Sequence, residues 1–102
     1  MSMVLASYGT DIRVRNDSKV DFKDVVADDR KYGDIKRGAA TGYQTWEIAY
    51  GYTYVSLLAG RKRLEIQPID YVGEHPLGSG HFTYVLTIYG GRLNIRAEKD
   101  KE

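Results

Sequence analysis

His81-Phe82-Thr83-Tyr84-Val85-Leu86-Thr87-Ile88-Tyr89-Gly90-Gly91-Arg92-Leu93-Asn94-Ile95-Arg96-Ala97 is the stretch that decides the fold. In an extended chain successive side chains point to opposite faces, so Phe82, Tyr84, Leu86 and Ile88 share one side while His81, Thr83, Val85, Thr87 and Tyr89 share the other. Nearly all are β-branched or aromatic, types that suit a pleated sheet, and both faces are expected to be at least partly covered. Gly90-Gly91 can adopt the positive φ values that a two-residue primed turn demands. The chain therefore doubles back, and Leu93 and Ile95 return to the same apolar layer.

The same pattern recurs upstream. Thr10-Asp11-Ile12-Arg13-Val14-Arg15 alternates with Ile12 and Val14 inward, and Asn16-Asp17-Ser18 supplies a turn. Residues 20–27 start in alternation but slip phase between Phe22 and Val25, as an extra residue in a β-bulge makes a strand do. A charged loop at 28–31 leads to a short strand at 32–35. Residues 41–50 read as a strand with Gln44, Trp46, Ile48 and Tyr50 on one face, the lone Trp46 being the core anchor. Strands at 52–58 and 63–67 flank a turn at Ala59-Gly60-Arg61-Lys62. Residues 68–80 hold both prolines and form the longest irregular stretch, a place where function is commonly carried.

About seven short strands with turns at regular intervals predict an all-β fold. The expected architecture is an antiparallel two-sheet sandwich, immunoglobulin-like, with a small β-barrel as the alternative. Residues 10–97 make that single domain, residues 1–9 a flexible tether and residues 98–102 a charged tail. Without cysteine there is no disulfide framework, thiolate metal site or thiol nucleophile. Lys+Arg of 15 against Asp+Glu of 14, scattered along the chain, argues against a nucleic-acid partner. No apolar run approaches the roughly 18 residues of a membrane span.

Arg13-Val14-Arg15-Asn16-Asp17-Ser18, Tyr32-Gly33-Asp34-Ile35, Ala49-Tyr50, Ile69-Asp70-Tyr71-Val72-Gly73-Glu74 and residues 80–86 follow one another in an order that resembles small bacterial surface or periplasmic lipoproteins of unknown function. The resemblance spans residues 12–95 and rests on turns and strand starts. It implies an immunoglobulin-like module in the periplasm or at the cell surface, with its leader and anchor left off, and no catalytic residues.

Several groups invite a chemical reading. His75 and His81, with Asp70 and Glu74, offer nitrogen and oxygen donors, but neither an alternate-residue strand pair nor a His-x-x-x-His helix spacing is present. Asp17, Asp21, Asp24, Asp28 and Asp29 offer oxygens for calcium, yet Lys19, Lys23, Arg30 and Lys31 are interleaved to neutralise them. Gly78-Ser79-Gly80 lacks the flanks of a nucleophile elbow. Asn16-Asp17-Ser18 fits a glycosylation sequon as well as a turn. No catalytic residue, metal site or cofactor is expected.

The leading expectation is a non-enzymatic structural or protein-binding module that contacts a protein or cell-envelope component through a sheet face or residues 69–80. Its candidate surface comprises Asp70, Tyr71, Glu74, His75, His81, Tyr43, Tyr52 and Tyr54. A carbohydrate-binding module is the nearest alternative; it calls for a row of exposed tyrosines flanked by Gln, Asn or Asp. A metal-dependent enzyme or calcium-binding domain is the third. Open edges at residues 11–15 or 92–97 could add to a neighbour's sheet, but the outward basic side chains on both segments argue for protection instead.

Overall fold

The computed structural model describes residues 9–68 and 75–101. Eight strands follow one another: β1 (Thr10–Asn16), β2 (Phe22–Ala27), β3 (Arg30–Ile35), β4 (Gln44–Trp46), β5 (Val55–Ala59), β6 (Lys62–Ile66), β7 (Gly80–Tyr89) and β8 (Arg92–Lys99). They form two four-stranded sheets, β4-β1-β7-β8 and β3-β2-β5-β6. Among the described residues this is the two-sheet sandwich expected, with eight strands instead of about seven and no closed barrel. Its core lies between the sheets and includes Ile12, Val14, Phe22, Val25, Val55, Leu57, Tyr84 and Leu86.

β7 is the spine of the first sheet. It pairs antiparallel with β8 from Phe82↔Lys99 to Tyr89↔Arg92, and Gly90 and Gly91 turn the chain at φ of 56° and 79°. Phe82 through Leu86 are all buried, so both faces of the strand are covered. On its other flank β7 pairs in parallel with β1, from Thr10↔Gly80 to Asn16↔Leu86. The sandwich is thus mostly antiparallel, with one parallel pair inside it. Residues 11–15 consequently lie in an interior strand and are not available to a neighbour. β4, together with the Val14–Thr41 and Asn16–Ala39 backbone bonds, covers their remaining edge.

Asn16 ends β1 in the core with no solvent exposure. Its amide nitrogen donates to the carbonyls of Val20 at 2.8 Å and Ile35 at 3.0 Å, and its side-chain oxygen accepts the Ser18 N–H at 3.0 Å. The turn reading holds, and an amide nitrogen enclosed in this way is not accessible to a glycan transferase.

The phase slip in β2 is a bulge. Register shifts fall between Phe22 and Val25 against β3 and between Lys23 and Val26 against β5. Asp24 sits there at φ 54°, and the Asp34 carboxylate receives its N–H at 3.0 Å.

Other boundaries moved. β3 begins at Arg30, since Asp28-Asp29 alone make the turn before it. The strand expected over 41–50 stops at Trp46; beyond it Ile48 is exposed and Ala49 buried, the reverse of continued alternation. Residues 52–54 precede β5 as irregular chain. Glu98 and Lys99, assigned to a charged tail, extend β8 because they pair with Thr83 and Phe82.

Candidate binding site

β4 belongs to one sheet and β5 to the other, so residues 47–54 must cross the end of the sandwich. The crossing is pinned at three points. The Leu77 N–H donates to the Ala49 carbonyl at 2.8 Å, the Tyr84 hydroxyl donates from the core to the Tyr50 carbonyl at 2.6 Å, and the Asp28 N–H donates to the Tyr54 carbonyl at 2.7 Å. The last bond ties the crossing to the β2–β3 turn, where Asp28 takes φ 58°.

Between turn and crossing lies an open cleft of about 400 Å³, lined by Asp28, Trp46, Ile48, Ala49, Tyr50, Tyr52 and Thr53. That volume is within the range of small-ligand sites. Its wall is fixed by the core. Trp46, 3% exposed, donates its indole N–H to the Tyr32 hydroxyl at 2.9 Å and meets the Tyr84 ring edge-on at 5.7 Å, while the Arg30 guanidinium lies over it at 5.2 Å. Ile48 is 52% exposed on the rim. Among the described residues Asp28 is the cleft's one ionisable lining group outside the tyrosines, so a lining shared almost evenly between polar and apolar surface carries a single anionic point.

A second cluster covers the outer face of β7. The Thr83 hydroxyl donates to Asp100, with oxygens at 2.7 and 2.9 Å, and accepts from the Arg13 Nε at 2.9 Å. Arg13 also lies 3.4 Å from Asp100, and the Tyr43 hydroxyl donates to that same carboxylate. His81 meets the Tyr43 ring edge-on at 4.9 Å and places Nε2 3.1 Å from Asp11, whose other oxygen accepts the Thr45 hydroxyl at 2.7 Å. Further along, Arg15 reaches Glu98 across β7 at 3.8 Å.

Burial, the largest single influence on Asp100, pushes its carboxyl up. Hydrogen bonds from Tyr43 and Thr83 and the charges of Arg13 and His81 outweigh it and hold the group below its ordinary value. The bond to Asp100, with burial adding to it, raises the Tyr43 hydroxyl. A carboxylate held ionised by several donors is a poor proton acceptor, and a threonine hydroxyl with no exposed surface is a poor nucleophile. The cluster is built to lock β1, β4, β7 and the end of β8 together.

The expected surface residues therefore scatter. Tyr43 and His81 come together over β7, Tyr52 lines the cleft, and Tyr54 places its hydroxyl 3.4 Å from Glu65. His75 is exposed in the chain leading to β7, and Asp70, Tyr71 and Glu74 lie outside the described residues. Of the described tyrosines, Tyr43 lies over β7, Tyr50 and Tyr52 line the cleft, and Tyr89 is exposed at the tip of the β7–β8 hairpin. Among the described residues no three His, Asp or Glu side chains gather closely enough to hold a metal ion. Asp21 instead accepts the Arg37 N–H at 3.0 Å.

Sequence reasoning missed Ile48 as a rim residue because alternation placed it inward. It missed Asp11, Arg13 and Asp100 because their meeting depends on the β1–β7 pairing, which leaves no local mark. Compared with known proteins, the chain matches no family model and no curated protein.

Proposed function

We propose that this domain is a non-enzymatic interaction module that works outside the cytoplasm and engages a protein or another cell-envelope component through the cleft at residues 46–53. The observation that carries the reading is Ile48, a large aliphatic side chain 52% exposed on the rim of a cleft walled by Trp46, Tyr50 and Tyr52. Its backbone is already pinned on both sides, so a partner would bury it with little ordering cost. Loops held at the end of a sandwich are frequent recognition surfaces. The saturated polar cluster over β7 supports a non-catalytic role, and the lipoprotein-like order of motifs supports a location outside the cytoplasm.

The test is cosedimentation of the purified chain with isolated bacterial envelope fractions, comparing wild type with Ile48→Asp. Wild type is expected in the pellet and the variant in the supernatant, with both melting at similar temperatures because Ile48 lies outside the core. Equal pelleting of the two would move the contact elsewhere, and no pelleting of either removes the reading.

Tyr50 and Tyr52 beside the Asp28 carboxylate and the Thr53 hydroxyl favour a saccharide as the second reading, since rings pack on sugar faces and the polar groups bond hydroxyls. Trp46 is the only tryptophan and lines the cleft, so its fluorescence reports occupancy. Titration with soluble chito- and cello-oligosaccharides should give a saturable change; a flat response sinks this reading.

A further inference from the structure

The four sheet edges are not equally guarded. β4 has three residues and β6 five. β3 faces a bulged partner, carries Gly33 at φ 78° and has its Lys31 carbonyl taken by Gln44 at 2.8 Å. β8 differs. Its eight residues pair with β7 without a register shift, and it contains no proline. Among the described residues, the only bond to its backbone beyond those of β7 is from its own Asn94 amide to the Arg92 carbonyl at 3.2 Å. A long, regular, open edge is a template for another strand unless something blocks it.

We infer that β8 is a homodimer interface, pairing antiparallel with β8 of a second copy about a two-fold axis at Ile95. That register sets Arg92 against Glu98, Asn94 against Arg96, Leu93 against Ala97 and Ile95 against itself, with both members of each pair on the same face of the sheet. The polar face is Arg92, Asn94, Arg96 and Glu98; the core-side face is Leu93, Ile95 and Ala97.

Charge supports a second copy as the occupant. Arg92 has no acidic partner among the described residues, whereas Glu98, 41% exposed at its side chain, accepts Arg96 at 2.7 Å on one oxygen and faces Arg15 at 3.8 Å through the other. A carboxylate has lone pairs for a further donor. The two-fold axis brings one Arg92 to each Glu98, and the two sheets join into one of eight strands. Beside this edge the flank between β6 and β8 leaves Leu64, Ile66 and Ile95 only partly buried against the core, and a second copy would cover them.

Sedimentation of the full chain from micromolar to millimolar concentration tests this, with folding followed by circular dichroism. Wild type is expected to form a dimer. Arg92→Glu and Glu98→Arg should each raise its dissociation constant by roughly tenfold or more, since two symmetric pairs turn from attraction to repulsion. Mixing the two variants should restore dimers. In the mixed pair the carboxylate introduced at position 92 of one copy faces the guanidinium introduced at position 98 of the other, and the native Glu98 of the first faces the native Arg92 of the second. Wild type that stays monomeric overturns the inference, and an edge reserved for another protein's strand gives that result. A dimer that neither reversal weakens overturns it too, as does a mixture no tighter than the separate variants.

Discussion

Trp46 and Tyr32 hold the open side of the sandwich shut through a relay. The indole N–H of Trp46 donates to the Tyr32 hydroxyl at 2.9 Å, and that hydroxyl donates to the Ile12 carbonyl at 2.9 Å. Tyr32 stands on β3 and Trp46 on β4, the edge strands of different sheets. A side-chain bond therefore replaces the backbone ladder that a closed barrel would place there.

Trp46→Ala should cost about 3–5 kcal/mol, the usual range for emptying a large aromatic site. Tyr32→Phe leaves a buried indole N–H without its acceptor and should cost about 1–3 kcal/mol. Combined with Trp46→Phe in a double-mutant cycle, the two changes should be less than additive. Denaturant unfolding measures all of these, and a loss below about 1 kcal/mol for Trp46→Ala would contradict its place in the core.

Asn16→Ala removes a donor from two carbonyls, one of them in a fully buried bond, and should cost about 2–3 kcal/mol. Asn16→Asp should fare no better, because a carboxylate cannot donate to Val20 and Ile35. Thermal melts of both variants provide the comparison.

Both residues of the β7–β8 turn take positive φ with open space where a side chain would begin, so the cost of a substitution there is set by the backbone preference of the new residue. Gly90→Asn should be nearly neutral, since asparagine tolerates the left-handed region. Gly91→Val should cost more than about 1 kcal/mol, because a β-branched residue does not. Equal melting temperatures for the two would mean the turn rearranges.

The cluster over β7 sets a pH dependence with two limbs. Asp100 is held below its ordinary value in the folded chain, so it contributes stability above its unfolded pKa of about 4, and that contribution disappears as pH falls through the lower folded value. Tyr43 is raised, so its contribution is whole below about pH 10 and disappears as pH rises through the folded value. The destabilisation by Asp100→Asn at neutral pH should therefore shrink in acid. In Tyr43→Phe the Asp100 carboxyl, followed by NMR, should titrate at higher pH than in wild type.

The hairpin, the bulge and the first strand were legible because each leaves a local mark: Gly90-Gly91, the Phe22-to-Val25 phase slip, and the Ile12/Val14 alternation. The 41–50 segment misled because Trp46, Ile48 and Tyr50 keep a strand period while the chain turns to cross between sheets, where burial of Ala49 decides the path. The lock over β7 was half visible. Tyr43 and His81 were singled out separately, but only β1, standing between β4 and β7, makes them neighbours.

The parallel partnership of β1 and β7 also orders events in time. Arg13 and Thr83 touch across 70 positions of sequence, whereas the other sheet is assembled from the short hairpins β2–β3 and β5–β6. Closing the longer loop is entropically dearer, and contacts of that separation form late. During synthesis the first strand must wait, unpaired on this flank, until the last third of the chain has been made. Truncating Leu57 should then slow refolding, while truncating Ile12 should chiefly hasten unfolding; stopped-flow rates that respond alike to both would place the two sheets in one concerted step.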